Sequence, residues 1–208
     1  YKEQEPIFYY ITVMNENYTQ PPMPENAEEG ILKGMYRFNS RDVENAEAHV
    51  TLLGSGALLN EVIKAQDKLA ELNIASDVWS VTSYRELYRD ALETERTGIL
   101  DPEKTDTPYI TECLHSAETV IAVSDYVRAV PLSVSEWVPG EMTVLGTDGY
   151  GRSDGREHLR RFFEIDAEFI TLASVSSLVR QGSLDKSSHT SLLKESGIDP
   201  DKPDPMSS

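Results

Sequence analysis

The chain has 208 residues and a formal net charge of −17, from 36 Asp and Glu against 19 Lys and Arg. That length suits one ordinary domain with a short tail, and 39% hydrophobic residues suffice for a core. The acidity argues against nucleic acid and anionic membrane surfaces, both of which call for Lys and Arg. A single cysteine, Cys113, excludes an internal disulfide and fits a reducing cytoplasm.

The apolar stretch 8–14 (FYYITVM) reads as a buried strand, and Pro21, Pro22 and Pro24 after it read as a stiff connection between domains. Residues 25–33 predict a short helix with Asn26 as its cap. Residues 35–38 predict a strand and 40–46 a polar turn. Residues 49–53 form a short apolar strand, turned by Gly54, Ser55 and Gly56 into a helix over 58–72. There Leu58, Val62, Leu69 and Leu72 recur at helical spacing. Residues 74–81 return as a strand, and Thr82 or Ser83 caps a helix over 84–96.

A loop over 98–108, marked by Pro102 and Pro108, precedes a short helix at 109–114 and a strand at 119–123 (TVIAV). The segment 125–138 is expected to be partly helical and broken at Pro131. A strand at 142–145 runs into LGTDGYGRSDGREHLRRFF (145–163). In that stretch Gly146, Gly149 and Gly151 permit positive φ, and Ser153 or Asp154 is placed to cap the next helix. Asp166 is the expected cap of a long helix over 167–181, with Gly182 at the left-handed stop. A weak helix over 184–196 and a Pro- and Asp-rich tail, expected to be loosely attached, complete the chain. Short apolar strands alternating with helices predict a three-layer α/β/α domain around a mostly parallel sheet of about five strands.

Residue types point to little chemistry. Gly54-Ser55-Gly56 invites a phosphate-cradling reading, but G-x-G-x-x-G fails because Leu59 and Asn60 stand where the third glycine belongs. A tight strand-to-helix turn is therefore expected. His49, His115, His158 and His189 lack metal-ligand spacing, and Cys113 reads as a small buried apolar residue. Arg152, Arg156, His158, Arg160 and Arg161 form the one basic concentration, expected to pair with nearby carboxylates. Asp148 is expected to bond its own turn. Asn15, Glu16 and Asn17 follow a strand, where ligand sites of α/β sheets tend to lie. Trp79 and Trp137 are expected to be packing residues.

The 145–163 stretch resembles the strand, Asp-x-Phe-Gly-x-Ser-like turn and helix of the C-terminal domain of transketolase-type thiamine enzymes. Four more stretches agree in order and spacing: 8–18, 24–36, 52–59 (LLGSGALL) and 77–90 (DVWSVTSYRELYRD). Within that group the likeness is to the homodimeric decarboxylating component of the bacterial pyruvate dehydrogenase complex, whose chains are several times longer. The resemblance implies a C-terminal piece: 1–21 would end the preceding pyrimidine-binding domain, and 22–208 would be the transketolase C-terminal-like domain. It also implies thiamine diphosphate and magnesium in the full-length enzyme, held outside this piece, with no catalytic, cofactor or metal residue of the family falling within it. The implied partners are the rest of its own chain, a second subunit and the lipoyl transacetylase core. NENY (15–18) and GTDGYGRSD (146–154) favour pyruvate over a transketolase or another 2-oxoacid substrate, by resemblance alone. The alternative is a free-standing module of the same fold that binds a small anion or a protein.

Overall fold

The computed structural model describes residues 2–9 and 17–207. Of the strand expected over 8–14, residues 10–14 lie outside the described residues, as do Asn15 and Glu16. Phe8 and Tyr9 belong to no strand and are exposed.

In chain order the elements are α1 (Glu28–Lys33), β1 (Met35–Arg41), β2 (Ala48–Ser55), α2 (Leu59–Glu71), β3 (Ile74–Val81), α3 (Tyr84–Leu100) and α4 (Tyr109–Cys113). These are followed by β4 (Thr119–Val123), α5 (Ala129–Leu132), β5 (Glu141–Leu145), α6 (Arg156–Phe162), α7 (Ala167–Arg180) and α8 (Lys186–Glu195). The five strands form one sheet in the order β1-β3-β2-β4-β5. All neighbours run parallel except β1, which pairs antiparallel with β3 at the edge. The predicted layered α/β/α architecture and strand count are therefore correct.

Alternation along the inner strands builds two cores. Val50, Leu52, Val78, Ile121 and Val123 face α2 and α7. Leu53, Trp79, Val81, Val120 and Ala122 face the opposite layer, with Tyr84 and Leu87 of α3 and Ile110 of α4. Each strand is apolar on both faces because both are covered. Burying a side chain such as Leu52 or Ile121, neither of which is exposed to solvent, contributes about 2 kcal/mol. Gly54 is needed for this packing: a Cβ there would lie 3.0 Å from the Leu59 Cα and 3.1 Å from Val62 Cγ2, so α2 could not sit as close to β2.

Several local expectations need correction. Asn26 does not cap α1; it adopts a φ of +61°, and the cap position is Ala27, without a side-chain bond. Ser40 and Arg41 belong to β1 rather than a turn, because pairing with β3 carries the strand onward past a bulge between Arg37 and Asn39. The third helix continues past Arg96 through Gly98 to Leu100. Pro131 lies in the first turn of α5, where its missing N–H costs no helical bond, so it does not break the helix. Neither Ser153 nor Asp154 caps α6. Gly155 holds the cap position, and the Asp154 carboxylate accepts the Gly155 N–H at 2.7 Å.

Other expectations are met. Ser83 accepts the Glu86 N–H at 3.2 Å and Asp166 the Phe169 N–H at 2.9 Å, each capping its helix as expected. Gly182 takes the left-handed conformation at φ +80°.

The C-terminal tail is not loose. Ile198 and Pro205 are buried, and Lys202 Nζ donates to the Phe162 carbonyl at 2.6 Å and pairs with Glu164 at 2.9 Å.

Candidate functional site

The sheet's connections reverse direction at β2. From β2 the chain passes through α2 to β3 on one side; from β3 it crosses through α3 and α4 to β4 on the other. Parallel strands whose connections diverge in this way leave a crevice beyond their carboxyl ends, the usual ligand position in open α/β sheets. A cleft of about 760 Å³ occupies that place. Its described lining includes Ser55, which ends β2, and Gly56 after it, Tyr84 and Arg85 opening α3, and Ser124 and Tyr126 after β4. Tyr18 and Gln20, just beyond Asn17, also line it, and Asn60 Nδ2 donates to the Thr19 carbonyl at 3.4 Å, tying this segment to α2.

Gly56 has a φ of +55°, and a Cβ there would meet nothing within 4 Å, so the turn faces open space. The Ser124 hydroxyl, wholly buried, accepts the Tyr126 N–H at 3.1 Å. Tyr84 is 6% exposed, and its hydroxyl finds no hydrogen-bond partner among the described residues. Burial raises its pKa well above the ordinary tyrosine value. Neither Tyr84 nor Arg85 was singled out by residue pattern; only the crossing point of the sheet makes them neighbours of Gly56.

The glycine-rich turn after β5 works as a clamp on the β4–α5 loop. Thr147 N–H donates to the Tyr126 carbonyl at 3.0 Å, and its hydroxyl donates to the Asp125 carbonyl at 2.8 Å. Asp148 accepts from Arg128 twice, from the backbone N–H at 3.2 Å and from Nε at 2.7 Å. Asp148 was expected to bond its own turn; its partner is instead Arg128 across the loop. Gly146 is required for the approach, since a Cβ would lie 2.7 Å from the Tyr126 carbonyl oxygen.

The basic concentration pairs inside the domain. Arg160 lies 3.5 Å from Glu61 and Arg161 3.1 Å from Asp166, and Arg161 also donates to the Ser196 carbonyl at 3.0 Å. Arg152 sits 5.1 Å above the Phe162 ring, and His158 lies 3.4 Å from Asp154. Glu61 was missed by the sequence reading. It is 6% exposed on α2 and also takes Lys64 at 2.8 Å. Its position, three after Leu58 and four before Ala65, sets it on the apolar face; that was the available signal.

The histidines are dispersed: His49 meets Asp77 at 3.4 Å, and His115 Nδ1 meets the Glu112 carbonyl at 2.9 Å. Among the described residues no group of three or more His, Cys, Asp or Glu side chains is placed to hold a metal ion. Cys113 is only partly buried, at the border of the second core. Burial raises its thiol pKa, and the Tyr109 hydrogen bond opposes the shift. Trp79 is buried beneath the Arg37 guanidinium at 5.5 Å, and Trp137 packs edge-on against Tyr88 with centroids 5.8 Å apart.

A mostly parallel sheet covered on both faces, with its cleft at the crossing point, defines an open, doubly wound α/β domain. The family model described as the transketolase-like C-terminal domain matches residues 34–166, and the chain belongs to that family. It is 47% identical over 209 residues to the pyruvate dehydrogenase E1 component of Pseudomonas aeruginosa, covering 99% of this chain and 24% of that protein. It is 46% identical over 213 residues to the E1 component of Cupriavidus necator, covering 100% of this chain and 24% of that protein. The chain thus spans about a quarter of the length of these relatives. Transketolase from Leishmania mexicana shares the fold at a TM-score of 0.52 and 18% identity, over 76% of this chain and 20% of that one.

Proposed function

We propose that the chain is the C-terminal domain of a bacterial-type pyruvate dehydrogenase E1 component. The whole enzyme would decarboxylate pyruvate oxidatively and pass the acetyl unit to lipoyl groups of a transacetylase core. The observation that carries this reading is the 47% identity to an E1 component across 99% of the chain.

In this reading residues 1–21 close the preceding domain and link to it, and 22–208 form the domain itself. Thiamine diphosphate, with magnesium, supplies the electron sink for decarboxylation. We assign both groups to the rest of an E1 component, of which this chain spans about a quarter. The domain's work is structural: its two cores give a rigid block that braces the neighbouring domains and supports a homodimer. A cytoplasmic setting agrees with the single cysteine, and no helix among the described residues is long and apolar enough to cross a membrane.

The test is pyruvate turnover. The 208-residue chain, supplied with thiamine diphosphate and magnesium, is expected to release no carbon dioxide from labelled pyruvate. The same residues within a full-length E1 component are expected to support turnover, and deleting 22–208 from it to abolish homodimer formation. Decarboxylation by the chain alone, or a normal dimer without it, would overturn the reading.

A further inference from the structure

Helix α3 is longer than the core it covers. Of its 17 residues only Tyr84, Leu87 and Ala91 are buried, and none of residues 92–100 is. About two and a half turns of helix thus run on past the core. A helix in a folded protein draws most of its stability from an apolar face laid against a neighbour.

The exposed part of α3 carries such a face. Tyr88 and Leu92 each follow a buried residue, Leu87 and Ala91, and are therefore turned about 100° round the helix from the side that meets the core. Ile99, two turns beyond Leu92, falls on the same line and is 73% exposed. A second apolar stripe, on a helix already buried along its first, calls for a second neighbour.

The stripe continues onto adjoining segments. The Tyr88 ring packs edge-on against Trp137 with centroids 5.8 Å apart. One turn before Tyr88, Arg85 shares the crossing-point cleft with Tyr126, which is exposed together with Val127 after it. The chain also enters the domain here. Tyr18 and Gln20 line the same cleft, and the Thr19 carbonyl is held by Asn60. Polypeptide preceding residue 17 therefore arrives beside Arg85 and Tyr126.

Two occupants compete for this surface. A second copy of the chain would bring a further net charge of −17, and like charge of that size opposes self-association. A domain tethered through Tyr18 is held at an effective concentration of about millimolar, and interfaces within one chain form on patches of modest size. The E1 relatives, of which this chain spans about a quarter, are long enough to hold such a domain.

We propose that the stripe of Tyr88, Leu92 and Ile99, with the Tyr126–Val127 loop beside it, is the surface on which the preceding domain of the same polypeptide docks. The proposal rests on the pyruvate dehydrogenase reading and gives its bracing role a location.

The test is amide exchange, read by mass spectrometry on the 208-residue chain and on the same residues within a full-length E1 component. Residues 88–100 are expected to exchange at least about tenfold more slowly in the full-length protein. Leu92→Glu combined with Ile99→Glu is expected to abolish that difference. The same double variant should leave the melting temperature of the 208-residue chain within about 2 °C of the parent, since neither side chain belongs to either core. A larger drop would show that the stripe supports this domain itself and would overturn the proposal. Equal exchange of residues 88–100 in the two proteins, or protection that survives the double variant, would also overturn it. So would a 208-residue chain that sediments as a dimer and is made monomeric by the double variant, because the occupant would then be a second copy. Failure of the enzymatic reading is seen separately, as absent pyruvate turnover in the full-length protein. A full-length protein that turns over pyruvate while residues 88–100 exchange freely sinks this surface alone.

Discussion

The Glu61 carboxylate on α2 accepts the backbone N–H of Ala167, the first residue of α7, at 3.2 Å. One side chain thereby joins the two helices that cover the same face of the sheet. It is a buried charge, compensated by that N–H, by Lys64 at 2.8 Å and by Arg160 at 3.5 Å. Its position at a helix N-terminus adds the favourable end of the α7 dipole. Removing the carboxylate leaves the buried Ala167 N–H without the acceptor it has here. Glu61→Ala is expected to cost about 3 kcal/mol, and Glu61→Gln roughly half of that because the amide oxygen still accepts from Ala167. Urea unfolding followed by circular dichroism reads both. A loss below about 1 kcal/mol for the alanine variant would mean the site relaxes to let in water.

Asp166 performs two tasks at the same helix end. One carboxylate oxygen accepts the Phe169 N–H at 2.9 Å, and the other pairs with Arg161 at 3.1 Å. Ser83 performs only the capping task, for α3. Asp166→Ala is therefore expected to destabilise more than Ser83→Ala, by about 2 against about 1 kcal/mol. Raising salt to 1 M should narrow the gap, because only the Asp166 ion pair and its dipole interaction are screened. Thermal unfolding of both variants at low and high salt checks this ordering.

The inner strands were legible because they obey local rules. In β4 every residue is apolar or Thr, and the sheet buries both faces; β3 needed no change of boundary. Caps were legible where a side chain with an oxygen directly precedes an apolar period, as at Ser83 and Asp166. What escaped was set by pairing between distant segments. The continuation of β1 through Arg41 depends on β3, and the role of Asp148 depends on Arg128, twenty residues away. The cleft escaped for the same reason. Nothing in the order Gly56, Tyr84, Ser124 announces that they line one cleft, since that follows only from strand β2 lying between β3 and β4.

The fit of the tail against the glycine-rich turn depends on Gly149. It holds a φ of +96°, and a Cβ there would lie 2.5 Å from the Pro205 carbonyl oxygen and 3.0 Å from the Met206 Cα. Gly149→Ala is expected to displace residues 203–207 from the turn, at a cost of about 1–2 kcal/mol from backbone strain and lost contact. Amide exchange should accelerate in the tail and the 146–150 turn while β2 and β4 keep their protection. Lys202, bonded to the Phe162 carbonyl and to Glu164, should retain its contacts. Uniform acceleration across the sheet would show that the tail supports the whole domain rather than its own corner.

Alkaline pH should weaken the fold through Tyr84. Its hydroxyl is buried, and desolvation of the phenolate raises its pKa far above the ordinary value. In the unfolded chain the same phenol ionises near pH 10. Below that pH both states hold the proton, and Tyr84 gives stability no pH dependence. Above it the unfolded state has released the proton while the folded state retains it. Unfolding then becomes easier by about 1.4 kcal/mol per pH unit, until the folded-state value is reached. Tyr84→Phe removes the titrating group and keeps the ring. Its stability curve should coincide in shape with that of the parent from pH 7 to about 9.5 and fall less steeply beyond, by roughly that slope. Chemical denaturation at half-unit pH steps provides the comparison, and parallel curves above pH 10 would show that Tyr84 ionises as readily folded as unfolded.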